Sequence, residues 1–113
     1  MTADVAYKVL SESEFAQFQA AGWFEGSVVD RADGFIHLSA AEQLTETIDR
    51  HFQGRDDLVI AAVQLPMLGA AVRWEISRGG QAFPHVYGVL PIGAVIGAGP
   101  LTRRGDGEVV LPG

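Results

Sequence analysis

The chain has 113 residues, 48% of them hydrophobic and 19% charged, with a formal net charge of −6. That is enough apolar material for one core of ordinary domain size and excludes disorder, while the acidic balance disfavours duplex nucleic acid, which needs clustered Lys and Arg. A small anion or nucleotide held by one or two arginines stays open. Cysteine is absent, which removes disulfides, thiolate nucleophiles and Cys-based zinc sites; the opening MTADVAYKVL lacks the pattern of a signal peptide and no apolar run is long enough for a membrane span, so a soluble cytoplasmic protein is expected.

The alternating VAYKVL (residues 5–10) predicts a strand. Ser11 and Glu14 have capping-box spacing, Leu10 and Phe15 sit where a hydrophobic staple would form, and Gly22 is a natural left-handed stop, so a helix runs between them. Trp23, Phe24 and Gly26 form an aromatic turn. Val28–Val29 and FIHL (35–38) read as short strand-like pieces separated by the turn residues Asp30, Asp33 and Gly34. Ser39 and Glu42 repeat the capping-box spacing, and Ala41, Leu44, Ile48 and Phe52 mark one face of a second helix that ends at Gly54, with Glu46 and Arg50 paired on its outer side.

DLVIAAVQL (57–65) is almost continuously apolar, as in a central strand buried on both faces, and Pro66 stops it. VRWEI (72–76) alternates. RGGQAFPHVYG (78–88) reads as a loop, with paired glycines followed by Pro84. PIGAVIGAGPL (91–101) is a final strand whose glycines suggest a bulge. The tail is an edge strand or loosely held. Two helices in the N-terminal half and at least four strands after them argue for one domain over residues 1–113, of α+β or mixed α/β class.

Three stretches carry candidate chemistry. In FIHL, strand parity puts Phe35 and His37 on one face, with Asp33 and Ser39 sharing that parity beside a helix N-terminus that favours anions; the plain alternative is a half-buried histidine bonded to the backbone, with Ser39 only capping. In RWE, Arg73 and Glu75 share one strand face and Trp74 takes the other, giving either a surface ion pair or a polar wall for a ligand. In SRGGQAFPHVYG, Arg78 suits a phosphate or carboxylate, His85 could act as acid, base or donor, and Tyr87 lies beside it; a long structural turn is the alternative. His51 fits a helix C-terminus. Three histidines without metal-ligand spacing give no reason to expect a metal, and neither a phosphate-binding P-loop, a dinucleotide-binding glycine motif nor a nucleophile elbow is present.

DGFIHLS, RWE with SRGG, and FPHVYG, together with YKVL near the start and GRDDLVI between, resemble a bacterial family known as domain of unknown function 952, across roughly residues 6–96. That family is similar in fold to ADP-ribosyltransferases and RNA 2′-phosphotransferases, and His37-Leu38-Ser39 is similar to a His-Leu-Ser stretch of the latter. The resemblance implies an α+β, ADP-ribosyltransferase-like fold: a split, mixed β core with a cleft for NAD. The relatives' Arg–His–Arg–Arg set has no position-by-position match here; if the chain carries out ADP-ribosyl transfer, the three stretches offer Glu75, His37 and His85 as catalytic groups, and His37, Ser39, Arg73, Arg78 and Tyr87 as the cofactor-binding set. VAYKVL departs from the pattern, lacking the histidine that NAD-using relatives carry in their first strand. Three readings follow. One is an enzyme transferring or cleaving ADP-ribose. The second is a non-catalytic module for a small anion or nucleotide. The third is an interaction domain presenting Trp23 and Phe24.

Overall fold

The computed structural model describes residues 4–112, the side chain of Arg78 excepted. Strand β1 (Val5–Ser11) leads into helix α1 (Glu12–Ala21) through the expected capping box: Glu14 N–H donates to Ser11 Oγ at 3.0 Å and Ser11 N–H to Glu14 Oε1 at 2.8 Å, and Gly22 closes the helix at φ 89°. Trp23 and Phe24, expected in a turn, form the short strand β2 (Trp23–Phe24). Val28 and Val29 are not strand. They open helix α2 (Val28–Asp33), because Ser27 and Asp30 make a second reciprocal capping box that ties this stretch into a helical turn. Val28 is accordingly 86% exposed.

The short strand β3 (Ile36–His37) follows, then a single 3₁₀ turn over Ala41–Gln43 and helix α3 (Leu44–His51). The expected Ser39 cap is corrected here. Ser39 is buried and extended; its N–H and C=O exchange bonds with Tyr7 at 2.9 and 2.8 Å, and its hydroxyl lies 2.8 Å from Thr47 Oγ1. The capping interaction falls one residue later, where Ala40 N–H donates to Gln43 Oε1 at 2.9 Å. Helix α3 stops at His51, short of Gly54, and Arg50 pairs with Glu46 at 3.0 Å as expected.

Strand β4 (Leu58–Gln64) is the central strand of a three-stranded antiparallel sheet, between β1 and β8 (Val95–Pro100). One face carries Ala6, Leu10, Ala61 and Val63 against Phe18 of α1 and against Ile36, Leu38 and Val86; the other carries Tyr7, Val9, Ile60 and Ala62 against Leu44 and Ile48 of α3. Burial on both sides accounts for the unbroken apolar run. The register of β4 against β8 shifts at Ala62/Val63, consistent with the bulge its glycines suggest.

A second three-stranded sheet holds β5 (Val72–Ile76) and β6 (Ala82–Val86), in the order β3-β6-β5. The expected loop over 78–88 is therefore corrected: a 3₁₀ turn over Arg78–Gly80 leads into β6, the middle strand, and only Tyr87 and Gly88 beyond it bend away. Pro84 is tolerated there for a specific reason. Its carbonyl accepts from Leu38 N–H at 3.1 Å, and in a strand the N and C=O of one residue face the same side. The missing donor thus falls where β3 ends, and the ladder to β5 is untouched. Strand β2 pairs with β7 (Leu90–Pro91) as a two-stranded ribbon. Every pairing among the described residues is antiparallel, where a mixed core was expected. The tail is pinned to α3 by Arg103–Asp49 at 2.7 Å and by Val109 N–H donating to Thr45 Oγ1 at 3.0 Å. The result is an α+β fold of small sheets and helices, and no helix among the described residues is long and apolar enough to cross a membrane.

Candidate functional site

Register decides what the second sheet presents. His37 lies opposite His85 across β3 and β6, and His85 lies opposite Arg73 across β6 and β5. Side chains alternate between faces, so Ile36, Val86, Val72 and Trp74 turn toward the core while His37, His85, Arg73 and Glu75 share the opposite face. Phe35 and Tyr87 join them at the ends of their strands. Three stretches distant in sequence thereby meet in one cluster.

Phe35 is the lid of this cluster. Its ring stacks on His85 at 4.1 Å, with 26° between planes, and lies 4.6 Å from His37 and 5.3 Å from Tyr87. His85 is buried beneath it, its Nδ1 2.7 Å from Glu75 Oε1; Tyr87 Oη donates to the same oxygen at 2.7 Å. The His85 bond, then the Tyr87 bond, hold the Glu75 carboxyl below its ordinary range, with smaller help from the charges of His85 and Arg73. The Arg73 guanidinium lies over the Tyr87 ring, 4.6 Å from its centroid, a geometry that suits a planar cation on a π-face.

His37 is held from below. Its Nδ1 lies 2.6 Å from Asp30 Oδ1, and its backbone N–H donates to the same oxygen at 3.1 Å. Its Nε2 lies 2.9 Å from Asp33 Oδ2, on the exposed side, and its side chain keeps 35% exposure. Asp30 is 2% exposed and binds Lys8 Nζ at 2.8 Å. Lys8 shares strand parity with Ala6 and Leu10, so it points into the core, and its ammonium also donates to the His37 carbonyl at 3.1 Å. Burial pushes the Asp30 carboxyl up, but the His37 bond and the Lys8 charge and bond outweigh it and hold the group well below the usual carboxylate range. A buried acid fixed on Nδ1 orients a histidine and determines which nitrogen faces outward.

The cluster contains His37, His85, Glu75, Arg73 and Tyr87. It does not contain Ser39, whose hydroxyl is directed to Thr47 under α3. The side chain of Arg78 lies outside the described residues. Lys8 and Asp30 lie outside the residues the sequence singles out for the site, where Asp30 reads only as a turn residue, although both carry a signal: a lysine at an inward-facing strand position requires a buried carboxylate partner, and Asp30 has capping spacing to Ser27. Of the two aromatics considered for a partner surface, Phe24 is buried and Trp23 alone is exposed; Trp23 edges a hollow between α1 and α2, lined also by Glu14, Val28 and Arg31, that includes none of the predicted site residues. Among the described residues no three His, Asp or Glu side chains are grouped to hold a metal ion.

The chain is similar to protein CC0527 of Caulobacter crescentus. The crystal structure of that protein aligns with a TM-score of 0.86 at 47% identity, covering 95% of this chain and 94% of the other. Its solution NMR structure aligns at 0.80 and 46% identity, covering 95% and 91%. A crystal structure of a double mutant of CC0527 aligns at 0.85 and 45%, covering 95% and 94%. No curated protein matches the chain. The profile of the family described as "Protein of unknown function (DUF952)" matches residues 9–98, and the chain belongs to that family.

Proposed function

We propose that the polar face of the β3-β6-β5 sheet binds a phosphorylated nucleoside, with NAD as the candidate cofactor, and cleaves or transfers its ribosyl group. The observation that supports this reading is the register-aligned row His37–His85–Arg73 with Glu75 fixed beside it. Breaking a nicotinamide–ribose bond builds oxocarbenium character on the sugar, and an ionised carboxylate close to the ring stabilises that charge. Glu75 has the required state, since His85 and Tyr87 both favour its ionised form. Asp33 suits the ribose hydroxyls, because carboxylates accept from hydroxyl donors and repel phosphate oxygens, and His37 serves there by holding the Asp33 carboxylate through its Nε2. Arg73 at the rim is the group for a phosphate, and Arg78 joins it in this assignment. Ser39 is left out of it, because its hydroxyl is directed to Thr47.

The test is free nicotinamide, measured by chromatography after incubation with NAD, alongside melting curves with NAD and with ADP-ribose. Both ligands raise Tm by ordinary linkage, nicotinamide accumulates, and Glu75→Gln abolishes the accumulation while leaving the fold intact. No Tm shift with either ligand overturns the reading.

A second reading, binding without turnover, is favoured by one observation. Both nitrogens of His37 face carboxylates, and the ring therefore has no nitrogen open to act as a base. A Tm shift with no nicotinamide released supports this alternative.

A further inference from the structure

Strand β5 is an edge strand. Tyr87 N–H donates to the Ala71 carbonyl and Ser77 N–H to the Gln81 carbonyl, each at 2.8 Å. Hydrogen-bonded pairs recur at every second residue of an antiparallel ladder, so Ala71, Arg73, Glu75 and Ser77 aim their main-chain groups at β6. Val72, Trp74 and Ile76 aim theirs outward. No bulge or proline interrupts this edge, and it ends on Ile76, an apolar side chain 72% exposed. Natural edges are ordinarily blunted against pairing.

We propose that β5 pairs with the β5 of a second copy about a two-fold axis at Trp74. The segment Val-Arg-Trp-Glu-Ile is self-complementary in that register. The two Trp74 residues exchange main-chain bonds, and each Ile76 N–H donates to the Val72 carbonyl opposite. Val72 N–H is already bonded to Gly69 within its own chain, which leaves the Val72 carbonyl as the matching group. Each Ile76 side chain packs beside the Val72 of the other copy. On the polar face, Arg73 of one copy lies opposite Glu75 of the other, twice over, and opposed opposite charges stabilise cross-strand pairs. The two polar faces then join into one surface, with a guanidinium from each copy beside the Glu75 of the other. The pairing rests on the strand edge and its register, independently of what the polar face binds. A five-residue edge is small against the roughly 1,200–2,000 Å² buried in stable complexes, so the dimer is concentration-dependent.

Sedimentation equilibrium of the full chain over a wide concentration range tests this. The average mass rises from the 12.1 kDa monomer toward twice that value. Ile76→Pro, which removes an outward donor and leaves the β6 ladder intact, remains monomeric at every concentration with an unchanged circular dichroism spectrum. Arg73→Glu or Glu75→Arg alone sets like charges opposite each other twice and raises the dissociation constant about tenfold or more; the two together restore it. A monomer throughout, or a dimer indifferent to Ile76→Pro, overturns the proposal. Failure of the charge-swapped pair to recover overturns the register.

Discussion

Replacing Asp30 by Asn tests the buried network under His37. The carboxylate takes donors at both oxygens: His37 N–H and Nδ1 at Oδ1, Lys8 Nζ and Ser27 N–H at Oδ2. An asparagine has one acceptor oxygen, so either orientation turns its amide hydrogens toward existing donors. It also leaves the Lys8 ammonium, 6% exposed, without an opposite charge. Removing one member of a buried ion pair costs about 3–5 kcal/mol, a large share of the 5–15 kcal/mol typical of a domain. The expected drop in Tm is roughly 12–20 °C. Adding Lys8→Met recovers most of the loss, since the buried charge is then gone.

The pH arm has a definite sign. The folded-state Asp30 carboxyl is held below its unfolded value, so its contribution is complete above the unfolded value near about 4 and declines as pH falls toward the folded one. Urea unfolding from neutral pH to about pH 3 reads this directly: the wild-type chain loses stability below about pH 4, and Asp30→Asn loses less over the same interval. A variant within about 1 kcal/mol of wild type at neutral pH, with the same acid slope, refutes the argument.

Two further substitutions address the polar face. Tyr87→Phe removes the second bond to Glu75 and leaves His85 in place, so the Glu75 pKa rises toward its ordinary value; a carbon-detected NMR titration of the side-chain carboxyl follows it, and an unchanged midpoint contradicts the bonding pattern. Ser39→Ala breaks the bond to Thr47 and costs about 1 kcal/mol in denaturant unfolding. It leaves affinity for NAD or ADP-ribose unchanged, whereas a loss of affinity would return Ser39 to the site.

Much of the architecture was legible because local signals agreed with burial. The Ser11–Glu14 box, the Gly22 stop and the unbroken run of β4 each reflect one dominant force. The failures came where two signals competed. Val28 and Val29 have high β propensity, but the Ser27–Asp30 box and the Asp30 links to Lys8 and His37 impose a helical turn. Pro84 signals a break, but only the side of β6 where β3 ends lacks the donor. Ser39 and Glu42 have capping spacing, but Ser39 is already bridged to Tyr7 through its backbone. The polar face was partly legible from parity alone, since Phe35 with His37 and Arg73 with Glu75 follow from alternation. Its convergence was not, because reading 78–88 as a loop hid the strand that aligns His85 with both neighbours.

The most direct measurement is a two-dimensional NMR titration of isotope-labelled protein with NAD and with ADP-ribose. The account predicts saturable shifts concentrated on His37, Arg73, Glu75, His85 and Tyr87. Shifts confined to the hollow beside Trp23 and Arg31, or no shifts at saturating ligand, would contradict it.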